Sequence, residues 1–493
     1  MLEHEVKLSA AEEFQLPDLS GLMDGVTAAE RPDERLSTVY VDSDDFRLAR
    51  WDVSFRHRAG QGWTVKLPAE DTGLLLVRDE IVFPGSSRQP PPAAVDLVRG
   101  YLRHAELRPQ VRLRTLRRGI LLHDAQGRLV ADIVDDTVSV LQGQRVVARF
   151  RELEVETTPD TPPALRKAAV ARLRAAGAGA PDPTPKYLRA IGGRDAAPPE
   201  VELATPTPSA SLGEVVTHAI ADGVIRLLRH DPIVRLDTDP EGVHQARVAT
   251  RRLRSDLRTF RAGLDPQWTA ALREELGWLG GELGAARDAD VLLERLSTRT
   301  RSLPDASADG TRRVVGALEQ RRLDTHAALL DTLRGDRYLD LIDRLIAAAR
   351  APALLAPTAD RPAASALPRL VRRSWRKLDR AVESMNDPPA DEELHLVRIL
   401  TKRCRYAAEA CAPSLGRRTG KLATAARALQ DVLGELNDAV VAERWLRDWT
   451  AHTRSSSGAF AAGELAMLER DAAKRARAQW PDAWEHLRKH APT

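Results

Sequence analysis

Cysteine is nearly missing: Cys404 and Cys411 are the only two in 493 residues. Seven positions apart on one helix they would stand about 10 Å from each other, too far for a disulfide. No covalent framework is expected, and both read as buried thiols in a reducing compartment. Aromatic residues make up only 4%, which leaves little stacking surface for single-stranded nucleic acid and ranks that partner last. No apolar run approaches the roughly 20 residues that span a bilayer, and the N-terminus carries no cationic stretch followed by an apolar segment. The expectation is a cytoplasmic protein with no membrane part. Net charge is scarce too, +3 from 74 basic and 71 acidic residues. The overall balance gives no argument for a polyanion, so any such argument must rest on pattern.

Hydrophobic content of 43% and charged content of 29% are those of a folded globular chain, and the length implies two to four domains. Residues 1–157 read as strands with turns, punctuated by 59–62 and 124–127 as hairpin loops, with helices expected near 96–107 and 163–176. In the first strand Glu3, Glu5 and Lys7 share one face and His4, Val6 and Leu8 the other. Ser54, Arg56 and Arg58 repeat the pattern, as do Thr64 with Lys66, Arg112 with Arg114, and Glu152, Glu154 with Glu156. An ordinary sheet could expose all these faces to water, and alternation does not say which face is inside. The signs segregate, however: some strands present only Arg or Lys, others carboxylates. Together they could line a cavity for a polyanion and a divalent metal.

These ordered motifs resemble a CYTH domain of the triphosphate tunnel metalloenzyme family over residues 1–195. The E-x-E-x-K stands as Glu3, Glu5 and Lys7, the R-x-R as Arg56 and Arg58, the W-x-x-K as Trp63 to Lys66, the late E-x-E as Glu152 and Glu154, and the last lysine as Lys186. Only nine of the 74 basic residues are Lys, and three of the nine occupy these motif positions, where a compact ammonium is wanted rather than a guanidinium fork. Arg117 matches a further family arginine only if a bulge reverses its parity relative to Arg112 and Arg114. Within residues 132–136, Asp135 is favoured as the metal-proximal acid, with Asp132 the alternative. The resemblance implies an antiparallel β-barrel tunnel of about eight strands with flanking helices. It implies Mg²⁺ or Mn²⁺ held by Glu3, Glu5, Asp135, Glu152 and Glu154. Phosphates would be gripped by Lys7, Arg56, Arg58, Lys66, Arg112, Arg114 and Lys186, with Glu5, Lys7, Glu152 and Glu154 catalytic.

Residues 196–211 are rich in Gly, Ala, Pro and Thr and read as a linker. From 212 to 490 the apolar spacing is helical, with breaks near 305–310, 351–362 and 387–389. This half contains itself twice. The run His244, Arg247, Arg251, Arg252, Arg254 recurs as His395, Arg398, Lys402, Arg403, Arg405 at a constant offset, and Leu283-Gly284 with Arg287-Asp288 recurs as Leu433-Gly434 with Asn437-Asp438. Such spacing argues for duplication of a helical unit, with halves near 212–350 and 363–490. On a helical wheel His244, Arg247, Arg251, Arg254 and Arg258 form one stripe opposite Ala246, Ala249, Leu253, Leu257 and Phe260. A solvated face normally mixes signs. This stripe does not, and its repulsion needs acids from a neighbouring helix or a bound polyanion.

The paired helices resemble a CHAD domain, the conserved-histidine α-helical domain. That resemblance implies two pseudo-symmetric helical bundles whose His and basic residues bind inorganic polyphosphate in a shared groove, with association to polyphosphate granules possible. The fold class expected is therefore multidomain α+β. Fusion of the two domains favours inorganic triphosphate or short polyphosphate as substrate, over thiamine triphosphate or ATP. A non-enzymatic polyphosphate receptor is the alternative of another class.

Overall fold

The computed structural model describes residues 2–68, 76–85, 89–158, 160–207 and 209–492, and the side chains at 2, 3 and 76–78 lie outside that description. The chain divides into two compact units, Met1–Glu200 and Val201–Thr493. Among the described residues no helix is long and apolar enough to cross a membrane.

The first unit is built on nine antiparallel strands: β1 (Leu2–Ala10), β2 (Thr27–Glu30), β3 (Glu34–Asp42), β4 (Ser54–Arg58), β5 (Gly62–Pro68), β6 (Leu76–Phe83), β7 (Arg108–His123), β8 (Leu129–Gln142) and β9 (Arg145–Thr157). Five short helices accompany them: α1 (Arg47–Arg50), α2 (Pro92–Leu97), α3 (Arg99–Leu102), α4 (Pro163–Ala175) and α5 (Lys186–Ala190). The pairing order runs β3-β4-β5-β6-β1-β9-β8, and β7 pairs with both β8 and β3, so eight strands close into a ring. β2 adds to the far end of β7. Gly119 permits a close approach of β7 and β8, since a Cβ there would lie 2.1 Å from the Ile133 carbonyl oxygen.

The barrel is inverted relative to an ordinary one over much of its wall. Val6 and Leu8 of β1, Ile133 of β8 and Leu153 and Val155 of β9 point outward and are covered by Leu165, Ala169 and Leu173 of α4. Burying these apolar side chains against one helix leaves their charged alternates no place but the lumen. At one end the lumen itself is apolar: Tyr40, Val111, Leu113, Val138 and Val140 pack with Tyr187 and Leu188 of α5.

The expected linker is not free at its start. Ala197 is fully buried against that same core, Glu200 receives two hydrogen bonds of 2.8 Å from the buried Arg103, and the Trp51 indole donates to Glu200 at 2.7 Å. Residues up to 200 thus belong to the barrel unit.

The second unit is all helical: α6 (Leu212–Leu236), α7 (Pro240–Thr259), α8 (Pro266–Thr300), α9 (Ala308–Arg334), α10 (Asp336–Arg350), α11 (Ala363–Glu383), α12 (Asp391–Leu415), α13 (Arg417–His452) and α14 (Ser456–Arg488). The duplicated runs fall on α7 with α8 and on α12 with α13. Ala246, Ala249, Leu253 and Leu257 of α7 are buried, as are Val397, Leu400, Cys404, Ala408 and Cys411 of α12. Burial pushes both thiols up to about 12. A core from Leu296, Val314, Leu446 and Leu465 joins α8 and α9 to α13 and α14, tying the two copies together.

Candidate functional site

The lumen of the barrel is walled by facing charges, and strand register decides which charge meets which. Lys7 stands across from Glu154, Glu152 from Asp136, Asp136 from Arg117, and Lys66 from Glu80. Cross-strand neighbours of opposite sign stabilise a sheet face, and here they do so in a buried setting. The Lys7 ammonium lies 2.5 Å from Glu5 and 3.6 Å from Glu152, and also pairs with Glu154. Lys186, at the first position of α5, reaches Asp136 at 2.5 Å, Glu154 at 3.0 Å and Glu152 at 3.1 Å. Arg117 grips Asp136 with two bonds of 2.9 and 2.7 Å and meets Glu154 at 3.3 Å.

These contacts separate the acids into two kinds. Burial disfavours the charge of Glu154, but Lys186, Lys7 and Arg117 outweigh it and hold the carboxyl well below its ordinary value; Asp136 is held down by Lys186 and Arg117 in the same way. Glu152 is raised by burial despite Lys7 and Lys186. Glu156, buried beside Glu154 and facing Glu5 across the strands, is pushed up to about 8. For Lys7 burial works against the ammonium, yet Glu154, Glu5 and Glu152 hold its pKa well above the usual lysine value. A buried charge persists only with such partners.

On the opposite wall Arg56 and Lys66 share Glu80, at 3.3 and 2.8 Å. Arg58 bonds only to Thr38 and Gln61, at 3.4 and 3.0 Å, and has no carboxylate partner among the described residues. Burial, then Arg56 and Arg117, bring its guanidinium down to about 10. The same cations, Arg56, Lys186 and Arg58, pull the buried Tyr40 hydroxyl below its usual value against the effect of burial.

Glu5, Lys7, Arg56, Arg58, Lys66, Glu152, Glu154 and Lys186 are thus brought together in and around one cavity. Glu3 lies on β1, but its side chain is outside the described residues. Three expected positions are not there. Arg112 and Arg114 are exposed on the outside of the barrel, and Arg117 takes the inward position without any bulge between them. The reason is the apolar plug: Val111 and Leu113 face inward to pack on α5, so on β7 the inward face is the apolar one until Arg117. Asp135 also points away from the lumen, held by Arg151 at 2.8 and 2.7 Å, and Asp136 is the acid inside. The alternative, Asp132, pairs with Arg31 and does not line the cavity. Reading β8 in register with Glu152 would have identified Asp136, which stands directly across from it, whereas parity alone admits Asp132 as well. Glu80 and Tyr40 were missed, and Glu156, read on the charged face beside Glu152 and Glu154, was not carried into the expected site.

The second unit holds another charged cavity. His244, Arg247 and Arg251 of α7 face His395, Arg398 and Lys402 of α12 across one groove, which Arg287 of α8 also lines. Asp288 bonds Arg247 at 2.8 Å, and Asn437 meets the His395 ring at 3.2 Å. Arg247 lies along α8 beside Gly284. Arg251, Arg287 and Lys402 make no ion pair among the described residues. Burial, then Arg398, Arg251 and Arg247, push the Lys402 ammonium down to about 7. His244 is lowered too, by burial and by Arg287. Arg254 and Arg403 lie in an adjoining pocket. Arg252 and Arg405 do not line either pocket and turn instead to Glu409, at 3.8 and 3.3 Å. The expected groove set therefore loses Arg252 and Arg405 and gains Arg287 of α8.

Family models for a CYTH domain and a CHAD domain match residues 1–187 and 218–447. Uncharacterized proteins from two strains of Mycobacterium tuberculosis are each 30% identical over 511 aligned residues, covering 99% of this chain and 96% of theirs. Among solved structures, PptA from Streptomyces chartreusis is 23% identical, with a TM-score of 0.47, over 56% of this chain and 100% of its own. A CHAD domain from the plant Ricinus communis is 30% identical, with a TM-score of 0.46, over 56% of this chain and 95% of its own.

Proposed function

Because the chain belongs to the family of proteins that join a CYTH domain to a CHAD domain, we propose that it hydrolyses inorganic triphosphate or short polyphosphate in the barrel lumen and binds polyphosphate in the helical groove. CYTH domains are metal-dependent enzymes of the triphosphate-tunnel class, hydrolases or cyclases. The observation that carries the finer reading is the lumen itself, where Lys7, Arg56, Arg58, Lys66, Arg117 and Lys186 converge with carboxylates between them. A receptor for a polyanion gains nothing from carboxylates buried among its cations. The intact acid set favours an enzyme.

The donors fit a hard divalent cation such as Mg²⁺ or Mn²⁺. Both oxygens of Glu152 are buried and accept no hydrogen bond among the described residues, although Lys186, Arg189 and Lys7 stand 3.1, 3.4 and 3.6 Å away. No group of three acids is arranged as a ready metal cage among the described residues. The carboxylates face lysines instead. Glu5, Glu152, Glu154 and Asp136 would hold the cation, which when bound draws charge from phosphate oxygens and acidifies a water.

Lys7 and Lys186 give up part of their pairing with Glu152 and Glu154 when they donate to phosphate oxygens. Substrate uptake thus exchanges internal ion pairs for external ones, lysines turning to phosphate and freed carboxylates needing a new positive partner. Arg58, with no acid of its own, is positioned to meet phosphate from the outset. Closure of one end by Tyr187 and Leu188 keeps that end of the lumen dry, where such contacts count for more. Turnover of tripolyphosphate by Glu5→Gln and Glu152→Gln tests the reading. Loss of about 10²-fold or more is expected, with the thermal midpoint preserved, and near-normal metal-dependent turnover in either variant contradicts it.

A further inference from the structure

The groove of the helical unit does not end at Lys402. Arg251 and Lys402 also line a second pocket, whose other walls include Arg254, Arg258 and Arg403 together with Ile399 and Tyr406. Beyond it the positive charge continues. Arg258 stands close enough to Arg403, Arg273, Arg254 and Arg261 for each to weaken its charge, and burial and these neighbours bring it down to about 10. Lys377 of α11, lowered by its desolvation, feels Arg373, Arg261, Arg403 and Arg258. Arg254, Arg258 and Arg403 line this pocket, and Arg261, Arg273, Arg373 and Lys377 stand near them, with Arg254, Arg261, Arg373 and Lys377 exposed to solvent. None of the seven makes an ion pair with a carboxylate among the described residues. Nearby, by contrast, Arg252, Arg405 and Arg427 all find Glu409.

A merely solvated basic face would keep its guanidinium groups apart and mix in acids. Here Arg258, Arg273 and Arg403 are half-buried, and the Nε of Arg273 is buried with no hydrogen-bond partner among the described residues. Self-repulsion of this kind costs stability in the free protein, and a bound anion relieves it. The apolar walls at Ile399 and Tyr406, with Arg251 set over the Tyr406 ring at 5.4 Å, make an open pocket that shares Arg251 and Lys402 with the groove.

We propose that this annex, formed by the C-terminal end of α7, the N-terminal part of α8 and the middle of α11 and α12, is a second polyanion site that takes the onward length of an inorganic polyphosphate chain leaving the groove. The proposal rests on the groove being a polyphosphate site, and it adds selection by chain length. A short oligophosphate is satisfied by the groove. A long chain engages both sites and gains by effective concentration, with no new kind of contact.

The test titrates the full-length protein with tripolyphosphate, an oligomer of about ten phosphates, a chain of about one hundred, and single-stranded RNA of matching charge. Three proteins are compared: wild type, the annex variant Arg258→Gln/Arg273→Gln/Lys377→Gln, and the groove variant Arg247→Gln/Arg398→Gln. Any contribution of the barrel is common to all three. Wild type should bind the longest chain about tenfold or more tighter than the oligomer per chain end, and the annex variant should lose that gain while keeping oligomer affinity within about twofold. The annex variant should melt at or above wild type, since repulsion is relieved, and Arg258→Lys/Arg273→Lys should retain the length dependence. Unchanged long-chain affinity in the annex variant, or RNA binding as tightly as long polyphosphate, overturns the annex. Undiminished oligomer binding by the groove variant overturns the underlying groove reading instead.

Discussion

Single residues here are legible mainly through their neighbours. Lys402 is the clearest case: it sits among Arg398, Arg251 and Arg247 with its pKa pushed down to about 7, so above that pH it is neutral in the free groove. A polyphosphate chain would restore the ammonium. Binding at pH 8 should then take up a proton, read as a dependence of the calorimetric enthalpy on buffer ionisation enthalpy, and Lys402→Met should abolish that dependence. Asp256 titrates in the opposite sense. It is fully buried in α7, one oxygen accepts no hydrogen bond among the described residues, and burial raises it to about 8 despite Arg252. Between the ordinary carboxylate range and about 8 the folded state keeps a proton that the unfolded state has lost, so stability falls as pH rises through that window. Asp256→Asn should flatten the fall and raise the melting temperature at pH 8. A variant that melts lower there and keeps the slope contradicts the assignment.

At the scale of elements, alternation was readable and direction was not. The charged faces of β1, β4, β5 and β9 turn inward because their apolar faces are buried elsewhere, β1 and β9 under α4. The same rule applied to β7 put Arg112 and Arg114 inside, whereas Val111 and Leu113 occupy the lumen against α5 and bring Arg117 in six and four positions later. On β8 the run Asp132 to Asp136 offers acids on both faces, and only the register Asp136 to Glu152 distinguishes them. The helical repeat was easier, because a helix with one basic and one apolar face has a single way to pack. The repeat singled out Arg287 on the next helix without placing it in the groove lining, and it hid the turning of Arg252 and Arg405 to Glu409. The corrected parity is directly testable. Arg117→Gln and Asp136→Asn should each reduce tripolyphosphate turnover by about 10²-fold or more, while Arg112→Gln/Arg114→Gln and Asp135→Asn stay within a few-fold of wild type. The reverse ordering contradicts the placement.

For the whole molecule, a net charge of only +3 conceals two different treatments of positive charge. In the barrel lumen Lys7, Arg56, Lys66, Arg117 and Lys186 are each matched to a carboxylate, an arrangement that calls for a metal once phosphate claims the lysines. In the helical unit Arg251, Arg287, Lys402 and the annex cations lack matching acids among the described residues, an arrangement that needs only the polyanion. The two units should therefore respond differently to chelation, turnover being lost and polyphosphate binding retained. The decisive measurement is phosphate release by the full chain from tripolyphosphate, ATP and thiamine triphosphate, each with Mg²⁺, with Mn²⁺ and with chelator. Metal-dependent release that favours tripolyphosphate and stops in chelator is the predicted result. Preference for ATP or thiamine triphosphate, or no turnover of any of the three with either metal, would contradict the account.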